Sequence, residues 1–243
     1  MLGDLAPIGG RAYDRRMPMP PGPEPLVDPG APPGPGDLAA TAFLDIGAAG
    51  VRELAEHARA GAADEREVAA RLFAAVRDGV RYDPYAVPTD PAAYRASAVL
   101  AAGRGYCVQK AVALSAAARA AGIPARLAFA DVRNHLQSER LRAVMGTDLF
   151  VWHGYSVLYL GGRWTQASPA FNRELCERFG VPPLSFDGTR DALLHAYAGD
   201  GSQYMEYVRE HGVWADLPLG RILAAYGDAY PPAVTEQAGR AAS

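Results

Sequence analysis

An α+β domain with an antiparallel β-sheet is the fold class that this 243-residue sequence predicts, on three observations. Helix-like text fills much of the first half. A long alanine-rich helical run leads directly into a strand-like segment, and beyond it two strand-like runs are joined by Gly161-Gly162. Helices that precede a hairpin, rather than alternating with single strands, point to a helical N-terminal part packed on an antiparallel sheet, with a helical and loop extension at the C-terminus.

Composition narrows the function classes. With 49% apolar and 21% charged residues the chain can bury the core of one large domain or two small ones. A formal net charge of −3 and scattered arginines leave no electropositive surface for nucleic acid or an anionic membrane. Lys110 is the sole lysine, and the preference for arginine reads as compositional bias. Cys107 and Cys176 are too few for a disulfide scaffold and lack metal-ligand spacing, so neither metal nor cofactor is expected. No apolar stretch reaches the roughly 20 residues that span a bilayer. The opening MLGDLAPIGG has neither the basic cluster nor the apolar run of a secretory signal. The expectation is a soluble cytoplasmic protein with reduced thiols, its oligomeric state left open.

Along the chain, residues 1–36 hold ten of the 20 prolines and read as a flexible arm. Asp37 is expected to cap a helix opening at Leu38 and running, with breaks at Gly47 and Gly50, to about Ala60. Asp64 and Glu67 form a capping-box pattern before Val68, Leu72, Phe73 and Val76, whose spacing makes one apolar helix face that ends before Gly79. VRYDPYAVPTDP reads as a short extended piece and a turn-rich loop, and residues 92–102 as a short helix or turn. A helix is expected over Tyr106–Ala121, stopped by Gly122 and Pro124, followed by a strand over 125–132. Residues 134–148 are a polar, partly helical connection. FVWHGYSVLYL (150–160) and RWTQASPAF (163–171) then make a hairpin on a two-residue turn. The divisions are an arm (1–36), a core (37–172), an extension packed on the core (173–230) and a tail (231–243). Within the extension, a helical layer on one sheet face is preferred to a lid over a cleft.

Cys107 carries the first chemical signal. A lone cysteine is more often a buried small hydrophobe than a nucleophile. This one follows Gly103 and Gly105 and opens a long helix, where unpaired N–H groups and the positive end of the dipole favour thiolate and can receive an oxyanion. Tyr82 is either a second oxyanion donor or a core aromatic, the core reading being preferred. Cys176, in a charged helical text, reads as inert.

A thiol nucleophile needs an imidazole. His57 reads as solvated, His195 and His211 as surface or capping residues, and His135 as a weak candidate in a polar loop. His153 differs, lying between Trp152 and Gly154 in a strongly apolar strand. With Gly161-Gly162 as the turn, Leu160 faces Arg163, so by extrapolation His153 faces Ala170 and its diagonal neighbour is Ser168. Diagonal partners are about 7–8 Å apart at Cα, close enough for Ser168 to orient the ring.

GRGYC, the following QKAVALSAAARAAGIPAR, and WHGYSVLYL–GG–RW…SPAFN together resemble the transglutaminase-like superfamily of papain-type thiol enzymes, over about residues 65–172. The resemblance implies a transglutaminase-like core in which Cys107 is the nucleophile and His153 the general base and acid. Where the family has Asp before Pro, this chain has Ser168 before Pro169. A hydroxyl can hold the imidazole but cannot supply a charge; Asn172, Asp131 and Asp148 stay open as other partners. The implied chemistry is acyl transfer through a thioester on the amide bond of a protein or peptide, with a peptidase or amidase slightly favoured over a transglutaminase. The alternative is an inactive module that keeps the fold to bind peptides or proteins.

Overall fold

The computed structural model describes residues 27–85, 87–195 and 200–231. Helices α1 (Ala49–Arg59), α2 (Glu65–Gly79) and α3 (Ala96–Ala102) precede the central helix α4 (Cys107–Ala120), and two-residue strands β1 (Arg81–Tyr82) and β2 (Arg104–Gly105) lie among them. Then come β3 (Ala125–Asn134), α5 (Glu139–Met145), the hairpin β4 (Leu149–Leu160) and β5 (Arg163–Ala167), α6 (Arg173–Arg178), β6 (Met205–Trp214) and α7 (Leu219–Ala229). The main sheet is antiparallel with strand order β5-β4-β3-β6. No described helix is long and apolar enough to cross a membrane.

Helix α4 is the axis of the molecule. Every residue from Cys107 to Arg119 is buried, the behaviour of a helix without a polar face. Its alanines let α1, α2 and α3 pack on it from one side while β4 and β3 pack from the other. Its polar residues are each satisfied. The Lys110 ammonium donates to the carbonyls of Arg77 and Val80 at the end of α2. The Arg119 guanidinium donates to carbonyls of Ala39, Ala125 and Ala215.

The hairpin has the expected register, with Leu160 opposite Arg163 and Ser156 opposite Ala167. Gly161 and Gly162 both take positive φ, 58° and 83°, as a two-residue turn matched to strand twist requires. Strand β5 stops at Ala167, four residues short of the expected end, and Ser168 instead donates its N–H to the Ala192 carbonyl. Asp64 caps α2 through the Glu67 N–H at 2.9 Å. Glu67 returns to the Ala63 N–H, one residue before the cap.

Two expectations fail. Asp37 caps no helix opening at Leu38: residues 38–48 are turns and bends before α1, and Asp37 instead closes a 3-10 turn (Pro35–Asp37), its carboxylate accepting from the Gly34 N–H at 2.9 Å and from buried Arg126 at 2.8 and 2.9 Å. The extension is not a helical layer either. Its segment 205–214 is a strand that lengthens the sheet beside β3. Glu206, Arg209 and Glu210 break the apolar alternation there, as charges do on edge strands. Of the Pro-rich arm, residues 27–36 lie against the sheet: Val27 bridges Val213, Asp28 O accepts from Arg126 and Ala31 O from the Trp164 indole. Residues 1–26 of the arm, and the tail beyond Pro231, lie outside the described residues.

Candidate active site

Gly103, at φ 59°, ends α3 in the left-handed conformation and turns the chain into β2. Strand β2 pairs in parallel with β1, which fixes Tyr82 opposite Gly105, and α4 begins two residues later at Cys107. The thiol therefore stands on the first turn of a helix that the whole core immobilises.

Strand β4 comes to this helix at its narrowest residue. A Cβ at Gly154 would sit 2.9 Å from the Val108 Cα, so the two backbones touch where any larger residue would hold them apart. The Gly154 N–H, with those of Val108 and Cys107, donates toward the Cys107 sulfur. Burial nevertheless dominates and pushes the thiol up to about 11, against the lowering by those three amides. The thiol pKa is thus raised rather than depressed.

His153 precedes Gly154 and lines, with Cys107, both a cavity of about 30 Å³ and the adjoining cleft of about 940 Å³. No hydrogen bond joins the two side chains. The imidazole is buried between Tyr155 and Tyr207, at ring separations of 6.4 and 6.2 Å, and burial lowers its pKa to about 4. Both groups are therefore neutral near pH 7.

Among the four possible partners of His153, the Ser168 hydroxyl makes the contact, with Nε2 and Oγ 3.2 Å apart. Ser168 is fully buried. Asn172 instead accepts the Tyr82 N–H at 3.2 Å, and Asp148 pairs with Arg133 at 3.6 Å. Asp131 accepts from the Trp152 N–H and from His211 Nε2. That last contact corrects the reading of His211 as a surface or capping residue. Its side chain is 12% exposed and stacked on Trp152, a placement that its polar sequence neighbours conceal. His57 bonds the Glu53 carbonyl of its own helix, and His135 pairs with Glu206 at 3.1 Å; neither meets Cys107.

The cleft beside Cys107 has an apolar wall including Leu136, Leu141, Phe150, Phe171 and Phe179. Leu136 and Phe179 are large apolar side chains left exposed. Arg81, Arg140 and Arg178 line the same cleft against one acid, Asp83. Sequence reading missed the Gly154 amide, although a glycine inside an aromatic strand signals close backbone approach. It could not have found the cleft wall, which α5, α6 and the chain before β6 assemble from distant segments. Among the described residues no cluster of His, Cys, Asp and Glu could hold a metal ion.

Residues 52–169 match the family model of the transglutaminase-like superfamily. No curated protein matches the chain. Two solved structures are similar. One is a candidate cysteine protease from Cytophaga hutchinsonii, 16% identical over 80% of this chain and 49% of that one, with a TM-score of 0.45. The other, a candidate protease from Parabacteroides distasonis, is 18% identical over 48% of this chain and 22% of that one, with a TM-score of 0.35. The chain thus spans about half the length of the first.

Proposed function

From a chain whose residues 52–169 belong to the transglutaminase-like superfamily, we propose a thiol peptidase or amidase that cleaves peptide amides through a thioester on Cys107. The observation that carries this reading is that Cys107 and His153 line one cavity, with the Ser168 hydroxyl against Nε2 of the imidazole.

The steps follow from the protonation states. In the tautomer that donates Nε2–H to Ser168 Oγ, Nδ1 is the basic nitrogen left for the thiol. As Sγ bonds to the substrate carbonyl carbon, its proton passes to Nδ1. The oxyanion takes the Cys107 N–H at the start of α4, where the helix dipole favours negative charge, and Tyr82, which lines both cavities, supplies a second donor. His153 returns the proton to the nitrogen as the C–N bond breaks. Water, deprotonated by the same imidazole, then hydrolyses the thioester and frees the thiol. Because burial keeps the resting pair neutral, the thiolate forms during attack rather than beforehand.

The cleft selects the substrate. Its volume and apolar wall suit an extended peptide with bulky side chains, and its three arginines favour one that also carries acidic groups. A pool of peptidyl coumarin amides of varied charge tests the whole reading. Turnover by the wild type should fall by about 10²–10⁴-fold in His153→Ala, and in Cys107→Ala no acyl-enzyme should be trapped by acid quench. Added amine reads out transfer in place of hydrolysis. If no amide is cleaved, and iodoacetamide labels Cys107 and Cys176 equally slowly with or without His153, the peptide-binding module is the correct function.

A further inference from the structure

Asp131 has no part in the chemistry above, yet it sits where the sheet is irregular on both of its sides. Strand β4 holds an extra residue between the Ala130–His153 and Val132–Phe150 pairs, and Trp152 lies in that insertion. Strand β6 holds one between the Ala128–Val213 and Ala130–Glu210 pairs, and His211 lies there. The Oδ1 atom of Asp131 accepts from one residue of each bulge: the Trp152 N–H at 3.0 Å and His211 Nε2 at 2.6 Å. The triangle closes because the His211 ring stacks on the Trp152 indole, 4.2 Å away and within 6° of parallel.

Trp152 is the one described non-glycine residue with positive φ, 55°. A bulky side chain takes that backbone only where its surroundings enforce it. The bulge leaves the Trp152 N–H without a ladder partner, and a buried N–H must find another acceptor. A bulge also redirects the side chains next to it, and the next one here is His153.

We propose that Asp131 and His211 are positioning residues that clamp the Trp152 bulge and so turn His153 toward Cys107. The carboxylate satisfies the strained N–H, and the stacked imidazole blocks the indole from relaxing to an ordinary strand conformation. This inference rests on the reading of Cys107 and His153 as nucleophile and base.

The test uses the full-length protein and two readouts: the His153 titration by ¹³Cε1 NMR, and the iodoacetamide alkylation rate of Cys107 with Cys176 as internal reference. In His211→Ala and Asp131→Ala the His153 midpoint should rise by at least about one pH unit from about 4 toward the ordinary 6.5, as the ring leaves its buried seat. The His153-dependent part of Cys107 alkylation should fall about tenfold, the loss expected for a misplaced base. His211→Gln, which keeps a donor for Asp131 but loses the stacked ring, should fall between wild type and His211→Ala. A folded His211→Ala with an unchanged midpoint and alkylation rate overturns the proposal. If His211→Ala does not fold, His211→Phe keeps the stacking but removes the donor; a wild-type midpoint there overturns the clamp equally. Should His153→Ala leave Cys107 alkylation unaltered, the catalytic reading fails while the NMR midpoints still decide whether the clamp sets the ring.

Discussion

His153 and His211 stand on the strands either side of β3 and are served by opposite kinds of partner. His153 has a fully buried hydroxyl at 3.2 Å, and His211 has a carboxylate at 2.6 Å. A hydroxyl can donate to or accept from Nε2 and so positions the ring under either tautomer, but it offers no charge to offset desolvation, and the His153 pKa sinks to about 4. The chain keeps its buried carboxylate for the backbone beside His153, through Trp152, rather than for the imidazole itself.

The sharpest way to break the contrast is Ser168→Asp, which gives His153 the kind of partner His211 has. An opposite charge at this range should raise the His153 midpoint by about 1–3 pH units. Cys107 alkylation near pH 7 should quicken at least severalfold as an ion pair becomes accessible. NMR titration and the iodoacetamide rate profile check both. An unmoved midpoint would mean that burial, not the partner's charge, decides the state of the ring.

Acid stability gives a second, smaller effect. Folded His153 titrates near 4 and an ordinary histidine near 6.5, so between those values the unfolded chain binds the extra proton. The stabilisation is complete above about pH 6.5 and is lost as pH falls through 4, a change on the order of a few kcal/mol. Urea unfolding at pH 6.5 and 4.5 should show this slope in the wild type and a shallower one in His153→Gln. Equal slopes would place the ring in water.

Ser168→Ala should have the least effect. Losing one neutral hydrogen bond costs about 0.5–1.5 kcal/mol, and the His153 midpoint should stay near 4, because burial alone lowers it. Thermal unfolding and the same titration measure the two outcomes. A midpoint shifted by a full unit would show that the hydroxyl holds the ring in its seat.

Much of the site is legible locally. A glycine-flanked cysteine at a helix start, a histidine inside an aromatic strand and a Gly-Gly turn between two strand-like runs each depend on neighbours a few residues apart. The turn alone placed Ser168 near His153, although β5 ends before the extrapolated pair and the contact is made just beyond the ladder. The Asp131–His211 pair is not legible in that way. Its members are 80 residues apart, on a central and an edge strand, and their bulges leave no periodic trace. Lys110 is similar: its sequence neighbours do not foretell that the carbonyls ending α2 would receive its ammonium.

The order of residues by itself determined the helix that presents Cys107, the hairpin that presents His153 and the registry that brings Ser168 beneath it, because periodicity, capping and turn stereochemistry act within one or two elements. Folding in three dimensions decided the rest. It buried thiol and imidazole, pushing the one up and the other down so that each favours its neutral form, recruited the Gly154 amide to the sulfur, and built the cleft from separated segments. It also tied Asp131 to bulges on two different strands. Desolvation and long-range contacts depend on what surrounds a group in space, which no short stretch of chain encodes.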